Sequence, residues 1–205
     1  MNQKEHWEEV YLNKPSAEVS WYQSHLNKSL ELIVSVSSKQ SRIIDAGGGS
    51  STLVDDLLSN GYTNVTVLDI SQEALKVSKD RLGPLADKVT WIEAGITHAS
   101  FPPEIFDVWH DRAVFHFFTE PAERKKYIET LKSALKPEGF LVMATFSLDG
   151  PLKCSGLDVV RYAPETLSRE LGNEFSLVKS SLERHQTPSG TFQNFIYGLF
   201  KRRTD

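Results

Sequence analysis

Short apolar runs alternate with segments of helical period between residues 41 and 146. The runs whose residue types are typical of buried strands are 41–45, 65–69, 89–92, 106–110 and 140–146. Between them apolar side chains recur at helical spacing, as at Leu53, Val54, Leu57 and Leu58 and again at Tyr127, Ile128, Leu131 and Leu135. Ser71 is expected to cap the helix after the second run. Strands separated by helices pair in parallel, so the pattern predicts a parallel sheet with helices on both faces.

The pattern changes after residue 147. A loop at 151–162 and a helix at 164–171 precede two strand-like runs, 175–182 and 191–200. Because no helix separates these two runs, we expect them to pair antiparallel. The predicted fold is therefore α/β, a doubly wound and mostly parallel seven-stranded sheet with a C-terminal antiparallel strand pair.

The length of 205 residues suits a single domain, 1–205, with a cap segment at 1–24, a core at 25–147 and a C-terminal part at 148–205. A net charge of −4 without a basic stretch in the core argues against a nucleic-acid partner, and no apolar run is long enough to cross a membrane. The charged start and the single Cys154 predict a cytoplasmic protein. Cysteine and histidine spacing predicts no metal site, and the oligomeric state is not indicated.

A glycine-rich turn follows the first predicted strand, in the stretch from Asp45 to Ser51. Its three glycines, Gly47, Gly48 and Gly49, allow the backbone to turn sharply and approach a ligand closely. Asp69 ends the second strand, where a carboxylate can accept hydrogen bonds from both hydroxyls of a ribose. The turn and Asp69 together predict a ligand that contains adenosine.

NAD and S-adenosylmethionine (SAM) both contain adenosine. A dinucleotide fingerprint needs a small residue where this chain has Thr52. Asp45 also places a negative charge near the expected position of a pyrophosphate, whereas a cationic sulfonium and amine would tolerate it. The C-terminal antiparallel pair differs from the second half of a dehydrogenase. These features favour SAM over NAD.

The stretches Asp45–Gly49, Val67–Ile70 and Leu135–Phe140 resemble the successive motifs of class I SAM-dependent methyltransferases, over roughly residues 20–200. The resemblance implies that Asp45 and the glycine turn surround the methionine part of SAM, with His110 nearby. It also implies that Asp69 holds the ribose and that Ile70 packs on the adenine. The family often has an acidic residue near Gly95, so here the backbone of Gly95 and Ile96 is expected to replace that contact.

The N-terminal segment is similar to that of a subgroup that includes some protein lysine methyltransferases. Trp21 and Tyr22 are expected to close over the cofactor, with Tyr22 reaching its carboxylate. Trp7, Val10 and Tyr11 fall on one helical face, which in the simpler interpretation covers only the edge of the sheet.

Charged residues directly follow the fourth strand, within the stretch from His110 to Phe118. We expect His110 or His116 to act as a base if the acceptor must lose a proton, with Asp111 assisting. In the alternative, Asp111 and Arg112 form an ion pair and His116 is a half-buried core histidine. The lysine methyltransferases have Asp-Lys-Gly-Thr at about this place, and Ala113 departs from it, so the resemblance does not identify the substrate.

Arg112, Arg161 and Tyr162 are the candidate acceptor-binding residues, under a roof formed by the N-terminal segment and the loop 153–162. In the alternative, Arg161 pairs with Asp158 or Glu165. The predicted function is SAM-dependent methyl transfer to a nucleophile on a small molecule, which leaves S-adenosylhomocysteine. The alternatives are a protein lysine methyltransferase and, in another class, a non-catalytic adenosine-ligand-binding protein or an NAD-dependent oxidoreductase.

Overall fold

The computed structural model describes residues 3–204. Its α-helices are α1 (Gln3–Asn13), α2 (Asn27–Val36), α3 (Leu53–Ser59), α4 (Gln72–Leu82), α5 (Pro121–Ala134) and α6 (Pro164–Leu171). Its strands are β1 (Arg42–Ala46), β2 (Asn64–Asp69), β3 (Val89–Glu93), β4 (Phe106–Arg112), β5 (Leu135–Phe146), β6 (Lys153–Cys154), β7 (Leu157–Asp158), β8 (Phe175–Gln186) and β9 (Phe192–Arg202). Residues 1, 2 and 205 of the predicted cap and C-terminal segments lie outside the described residues.

Seven of these strands form one sheet in the order β3-β2-β1-β4-β5-β9-β8. The first five are parallel, and β9 pairs antiparallel with both β5 and β8. This arrangement confirms the predicted fold. The chain leaves β1 towards β3 and then returns to β4, so β1 and β4 flank a topological switch point. Open α/β sheets bind ligands at the carboxyl ends of the strands at such a point.

Four local features differ from the sequence prediction. Strand β4 continues two residues further, to Arg112, and β8 continues to Gln186. The predicted turn at 137–139 is an irregularity inside β5, where the pairing moves from Phe106↔Leu135 to Val108↔Phe140. The loop 151–162 contains the small hairpin of β6 and β7, which the sequence pattern did not indicate.

The alternation of side chains along each strand divides the core into two clusters, one on each face of the sheet. Ile43 of β1 belongs to the cluster that includes Leu32 of α2 and Leu57 of α3. Its neighbour Ile44 belongs to the cluster that includes Leu131 of α5. Two packed faces are what a doubly wound sheet requires. The same alternation determines which side of β4 carries each polar residue.

Helix α1 docks on the start of α4. The carboxylate of Glu8 accepts hydrogen bonds from the Ser71 hydroxyl at 2.8 Å and from the backbone N–H groups of Gln72 and Glu73. The Ser71 hydroxyl also accepts one from the N–H of Ala74, as its predicted role as a cap requires. A carboxylate is stabilised at a helix N-terminus by the helix dipole and the free N–H groups. Within residues 3–204, no helix is long and apolar enough to cross a membrane.

Candidate active site

Two adjoining cavities lie at the carboxyl ends of β1, β2 and β4, with volumes of about 420 Å³ and about 40 Å³. The larger one is of the size usual for small-molecule and cofactor sites. Both cavities are lined by Tyr11, Trp21, Gly47 and Arg112. They therefore form one site with a narrow inner part and a wider outer part.

Asp45 is at the narrow part, and one of its oxygens has no partner. Its Oδ1 lies 2.7 Å from Nδ1 of His110, while Oδ2 is buried without a hydrogen bond. A side chain at Gly48 would place its Cβ 2.5 Å from that Oδ2. The glycine thus keeps open the space beside the carboxylate. A buried carboxylate oxygen without a donor is costly, so this arrangement indicates a cationic or hydrogen-bonding ligand group.

Asp69 is at the wider part, at the end of β2. Its Oδ1 accepts a hydrogen bond from the N–H of Ser71 at 2.9 Å, and its Oδ2 lies 2.6 Å from the position of a Cβ at Gly49. Burial raises the pKa of the Asp69 carboxyl to about 7, against the opposing effect of the Ser71 N–H. Hydrogen-bond donors of a ligand would lower the pKa of Asp69 again, because hydrogen bonds to a carboxylate favour its charged form.

The remaining predicted adenine contacts surround the same cavity. Ile70, Gly95 and Ile96 all line it, together with His98, which the sequence analysis did not identify. Ile70 Cδ1 would lie 3.4 Å from a Cβ at Gly95, so a small residue there leaves room beside Ile70. The site residues that the resemblance implied for the cofactor are therefore brought together in space.

A series of buried polar groups joins Asp45 to Arg112. His110 Nε2 lies 2.8 Å from the Ser29 hydroxyl, which lies 3.3 Å from the Tyr197 hydroxyl, and Arg112 Nε donates to that hydroxyl at 3.0 Å. The Arg112 guanidinium can only donate a hydrogen bond. With a proton on His110 Nδ1, Tyr197 can donate to Ser29, Ser29 to His110 Nε2 and His110 Nδ1 to Asp45, so each hydrogen bond has one donor and one acceptor. We call this series the polar relay. Ser29 and Tyr197 were missed from sequence, because they lie 81 residues and more from their partners.

Arg112 is held firmly inside the site. Its side chain is only 5% exposed, its Nη1 donates to the Trp21 carbonyl at 3.0 Å, and its guanidinium lies 4.4 Å from the centre of the Phe195 ring. Its Nη2 has no hydrogen-bond partner. The carboxylate nearest to Nη2 is that of Glu183 at 3.6 Å, so the alternative pair with Asp111 is not formed.

Asp111 and His116, two of the three predicted catalytic residues, line neither cavity. Alternation along β4 turns Asp111 towards α5, where it accepts from the Tyr127 hydroxyl at 2.6 Å and from the N–H groups of Val114 and Phe115. Burial raises the pKa of Asp111 to about 6. His116 is fully buried against Phe146, and burial lowers its pKa to about 3. These positions support structural roles for both residues.

His110, the third, lines the narrow cavity, but both of its ring nitrogens are hydrogen-bonded to protein groups. It therefore has no free nitrogen to take a proton from an acceptor. Its position agrees better with its predicted place beside the cofactor than with the role of a base.

Aromatic side chains of the N-terminal segment form one wall of the site. The Trp7 ring lies 5.7 Å from that of Trp21 and 5.1 Å from that of Phe117, measured between ring centres. All three line the wider cavity, and Tyr22 lines the narrow one. Trp7 therefore closes the site and does not merely cover the edge of the sheet.

Arg161 and Tyr162, the other predicted acceptor residues, lie outside both cavities. Arg161 donates to the carbonyls of Leu148 and Gly150, and it pairs with neither Asp158 nor Glu165. Tyr162 is buried, and its ring lies 5.7 Å from that of Phe115. The backbone of Tyr162 is tied to the end of β5, which turns this part of the loop away. From the predicted roof loop 153–162, Cys154 lines the wider cavity.

The family model and the curated proteins to which this chain is similar are all described as methyltransferases. A family model described as a methyltransferase domain matches residues 44–143. The mouse eEF1A lysine and N-terminal methyltransferase is 24% identical over 108 residues, which are 53% of this chain and 15% of that protein. Malonyl-[acyl-carrier protein] O-methyltransferase 2 of Ilyobacter polytropus is 26% identical over 133 residues, which are 64% of this chain and 49% of that protein. The chain thus spans half or less of the length of these curated relatives.

Solved structures extend the likeness over nearly the whole chain. A protein studied for the conversion of a disulfide bond into a thioacetal group during echinomycin biosynthesis has a TM-score of 0.80 at 17% identity, covering 98% of this chain and 92% of that chain. The 1,6-didemethyltoxoflavin-N1-methyltransferase of Burkholderia thailandensis, solved with bound 1,6-didemethyltoxoflavin and S-adenosylhomocysteine, has a TM-score of 0.68 at 17% identity, covering 98% of this chain and 84% of that chain. At such identities the likeness establishes the fold.

Proposed function

We propose that this chain, which belongs to the class I SAM-dependent methyltransferases, binds SAM across the two cavities and transfers its methyl group to a small-molecule nucleophile. The observation that carries the proposal is the buried Oδ2 of Asp45, which has no partner and faces a space kept open by Gly48. SAM has an ammonium group on its methionine part, which fits a lone carboxylate oxygen, whereas the pyrophosphate of NAD would be repelled by it.

The rest of the site fits the remainder of the cofactor. Asp69 would accept hydrogen bonds from the ribose hydroxyls, and Ile70 and Ile96 would enclose the adenine beside the Gly95 backbone. Tyr22 and residues 50–52 line the narrow part, where the carboxylate of the methionine part would lie. The aromatic wall of Trp7, Trp21 and Phe117 would exclude water.

The cofactor supplies a methyl group that its sulfonium has already activated, so the protein contributes mainly position and orientation. Two protonated groups line the wider cavity together with Arg112, the Cys154 thiol and the Tyr11 hydroxyl, and neither is a base at neutral pH. Burial raises the pKa of the Cys154 thiol to about 12, and it raises the pKa of Tyr11 as well. We therefore propose an acceptor that offers a lone pair at neutral pH without a protein base.

A small acceptor agrees with an inner site that is walled by α1 and by aromatic side chains. The enzymes named for malonyl-acyl-carrier protein and 1,6-didemethyltoxoflavin among the similar proteins support this class. A protein lysine acceptor is the second candidate, and it is favoured by the likeness to eEF1A lysine methyltransferases.

Transfer from methyl-labelled SAM into a fractionated cell extract tests the proposal. We expect label in the small-molecule fraction, its loss with Asp45→Asn, and its retention with Asp149→Asn, which alters an exposed carboxylate outside both cavities. Label found only in protein would favour the lysine alternative. No transfer into either fraction by a protein that binds SAM would argue for a non-catalytic role.

A further inference from the structure

We propose that Arg112 is a carboxylate-binding subsite and that the methyl acceptor carries a carboxylate. This inference rests on the proposed function, since it concerns the acceptor of the same site. Arg112 Nη2 is a buried cationic donor that has no hydrogen-bond partner within residues 3–204. An unsatisfied buried donor is costly, and more so when it is charged.

The position of the guanidinium is fixed before any ligand arrives. Tyr197 and Trp21 accept from Nε and Nη1, and the Phe195 ring lies beneath the guanidinium plane. The polar relay connects the Tyr197 hydroxyl through Ser29 and His110 to Asp45. A held guanidinium with a free N–H loses little entropy when it binds a carboxylate, which is the anion its geometry matches best.

Glu183 lies near Arg112 but does not satisfy it. The 3.6 Å between Glu183 Oε2 and Arg112 Nη2 is too long for a hydrogen bond, and the same Oε2 accepts from Gln23 Nε2 at 3.3 Å. Glu183 therefore reduces the positive charge of the subsite without occupying it. It follows that removing the charge of Glu183 should strengthen the binding of an anion.

The location of Arg112 favours the acceptor over the cofactor as the source of the carboxylate. His110 pairs in register with Asp45, next to the proposed ammonium site. Arg112 points to the same face of β4 two residues further on, about 7 Å towards the open edge of the sheet. There it lines the wider cavity with Trp7, Trp21 and Phe117, which would pack against an apolar or aromatic acceptor body.

The test is calorimetric titration of the protein saturated with S-adenosylhomocysteine, using phenylacetate and, as its uncharged match, phenylacetamide. We expect phenylacetate to bind at least tenfold more tightly than the amide. Arg112→Gln should abolish this preference, and Arg112→Lys should keep part of it. Glu183→Gln should tighten phenylacetate binding severalfold and leave the amide unchanged. An unchanged or weaker affinity of Glu183→Gln for phenylacetate would contradict the inference.

A second measurement separates the two sources of carboxylate. 5′-Methylthioadenosine lacks the amino and carboxylate groups of S-adenosylhomocysteine, so the affinities of Arg112→Gln for the two are compared. Weakening of S-adenosylhomocysteine alone would assign Arg112 to the cofactor and overturn the inference. Equal binding of phenylacetate and phenylacetamide would overturn it as well. Failure of the wild-type protein to bind S-adenosylhomocysteine would instead contradict the proposed function.

Discussion

Replacing Asp69 with asparagine should strengthen the unliganded fold and weaken the ligand complex. Burial raises the pKa of this carboxyl from 3.8 to about 7, so the folded protein resists its ionisation. A difference of one in pKa is worth about 1.4 kcal/mol, so above pH 8 the ionised carboxylate costs up to about 4 kcal/mol of folding free energy. Asparagine avoids this cost and still offers an oxygen to the Ser71 N–H.

The stability gained by Asp69→Asn should depend on pH. The raised pKa means that the folded chain holds the proton more tightly than the unfolded chain, so stability falls as the pH rises from about 4 to about 7. The advantage of Asp69→Asn in urea unfolding should therefore be up to about 4 kcal/mol near pH 8 and less than about 2 kcal/mol near pH 5. Equal stability of the two proteins at both pH values would refute the reasoning.

Ligand affinity should fall, both when Asp69 is replaced by asparagine and when its carboxyl is protonated at low pH. If the ribose requires ionised Asp69, wild-type affinity for S-adenosylhomocysteine should be about tenfold weaker at pH 6 than at pH 8, because only about a tenth of the carboxyl is then ionised. Asp69→Asn should bind weakly at both values, with no such difference. Asp149→Asn, at an exposed carboxylate, is the matched control and should follow the wild type. An Asp69→Asn protein with wild-type affinity would show that Asp69 does not hold the ribose.

Three further changes test other parts of the structure. Tyr127→Phe removes the donor to buried Asp111 and should cost about 2–3 kcal/mol in urea unfolding, and an unchanged midpoint would contradict the structural role of Asp111. Glu8→Gln should loosen α1 from α4 and speed its cleavage in limited proteolysis, whereas exposed Glu9→Gln should not. Tyr197→Phe should lower phenylacetate affinity severalfold without changing that for 5′-methylthioadenosine, and equal losses for both would show a general collapse of the site.

The sheet, and the meeting of the proposed cofactor residues at its edge, were predictable because their signals are local. Each strand of the parallel sheet is a short apolar run, and Asp45, Asp69 and the glycine turn occur at strand ends that the sheet must bring to one edge. Register then places His110 beside Asp45. The order of these elements along the chain is enough to predict which residues meet.

The positions of the residues proposed for catalysis and acceptor binding were harder to predict, for two physical reasons. The sequence pattern ended the fourth strand at His110, whereas β4 continues to Arg112, so alternation sends Asp111 to the opposite face. The position of Arg161 depends on a loop that is held by a contact between Tyr162 and Phe146 and by carbonyls at 148 and 150. Long-range contacts of this kind, like those of the polar relay, have no periodic signal in the sequence.

Calorimetric titration with S-adenosylhomocysteine and with NAD tests the cofactor site most directly. We expect micromolar binding of S-adenosylhomocysteine and far weaker binding of NAD. Asp45→Asn should weaken S-adenosylhomocysteine by about 1–3 kcal/mol, because the ammonium loses its charged partner. The same substitution should leave 5′-methylthioadenosine nearly unaffected. Tighter binding of NAD than of S-adenosylhomocysteine, or an Asp45→Asn protein with unchanged affinity, would contradict the assignment of the site.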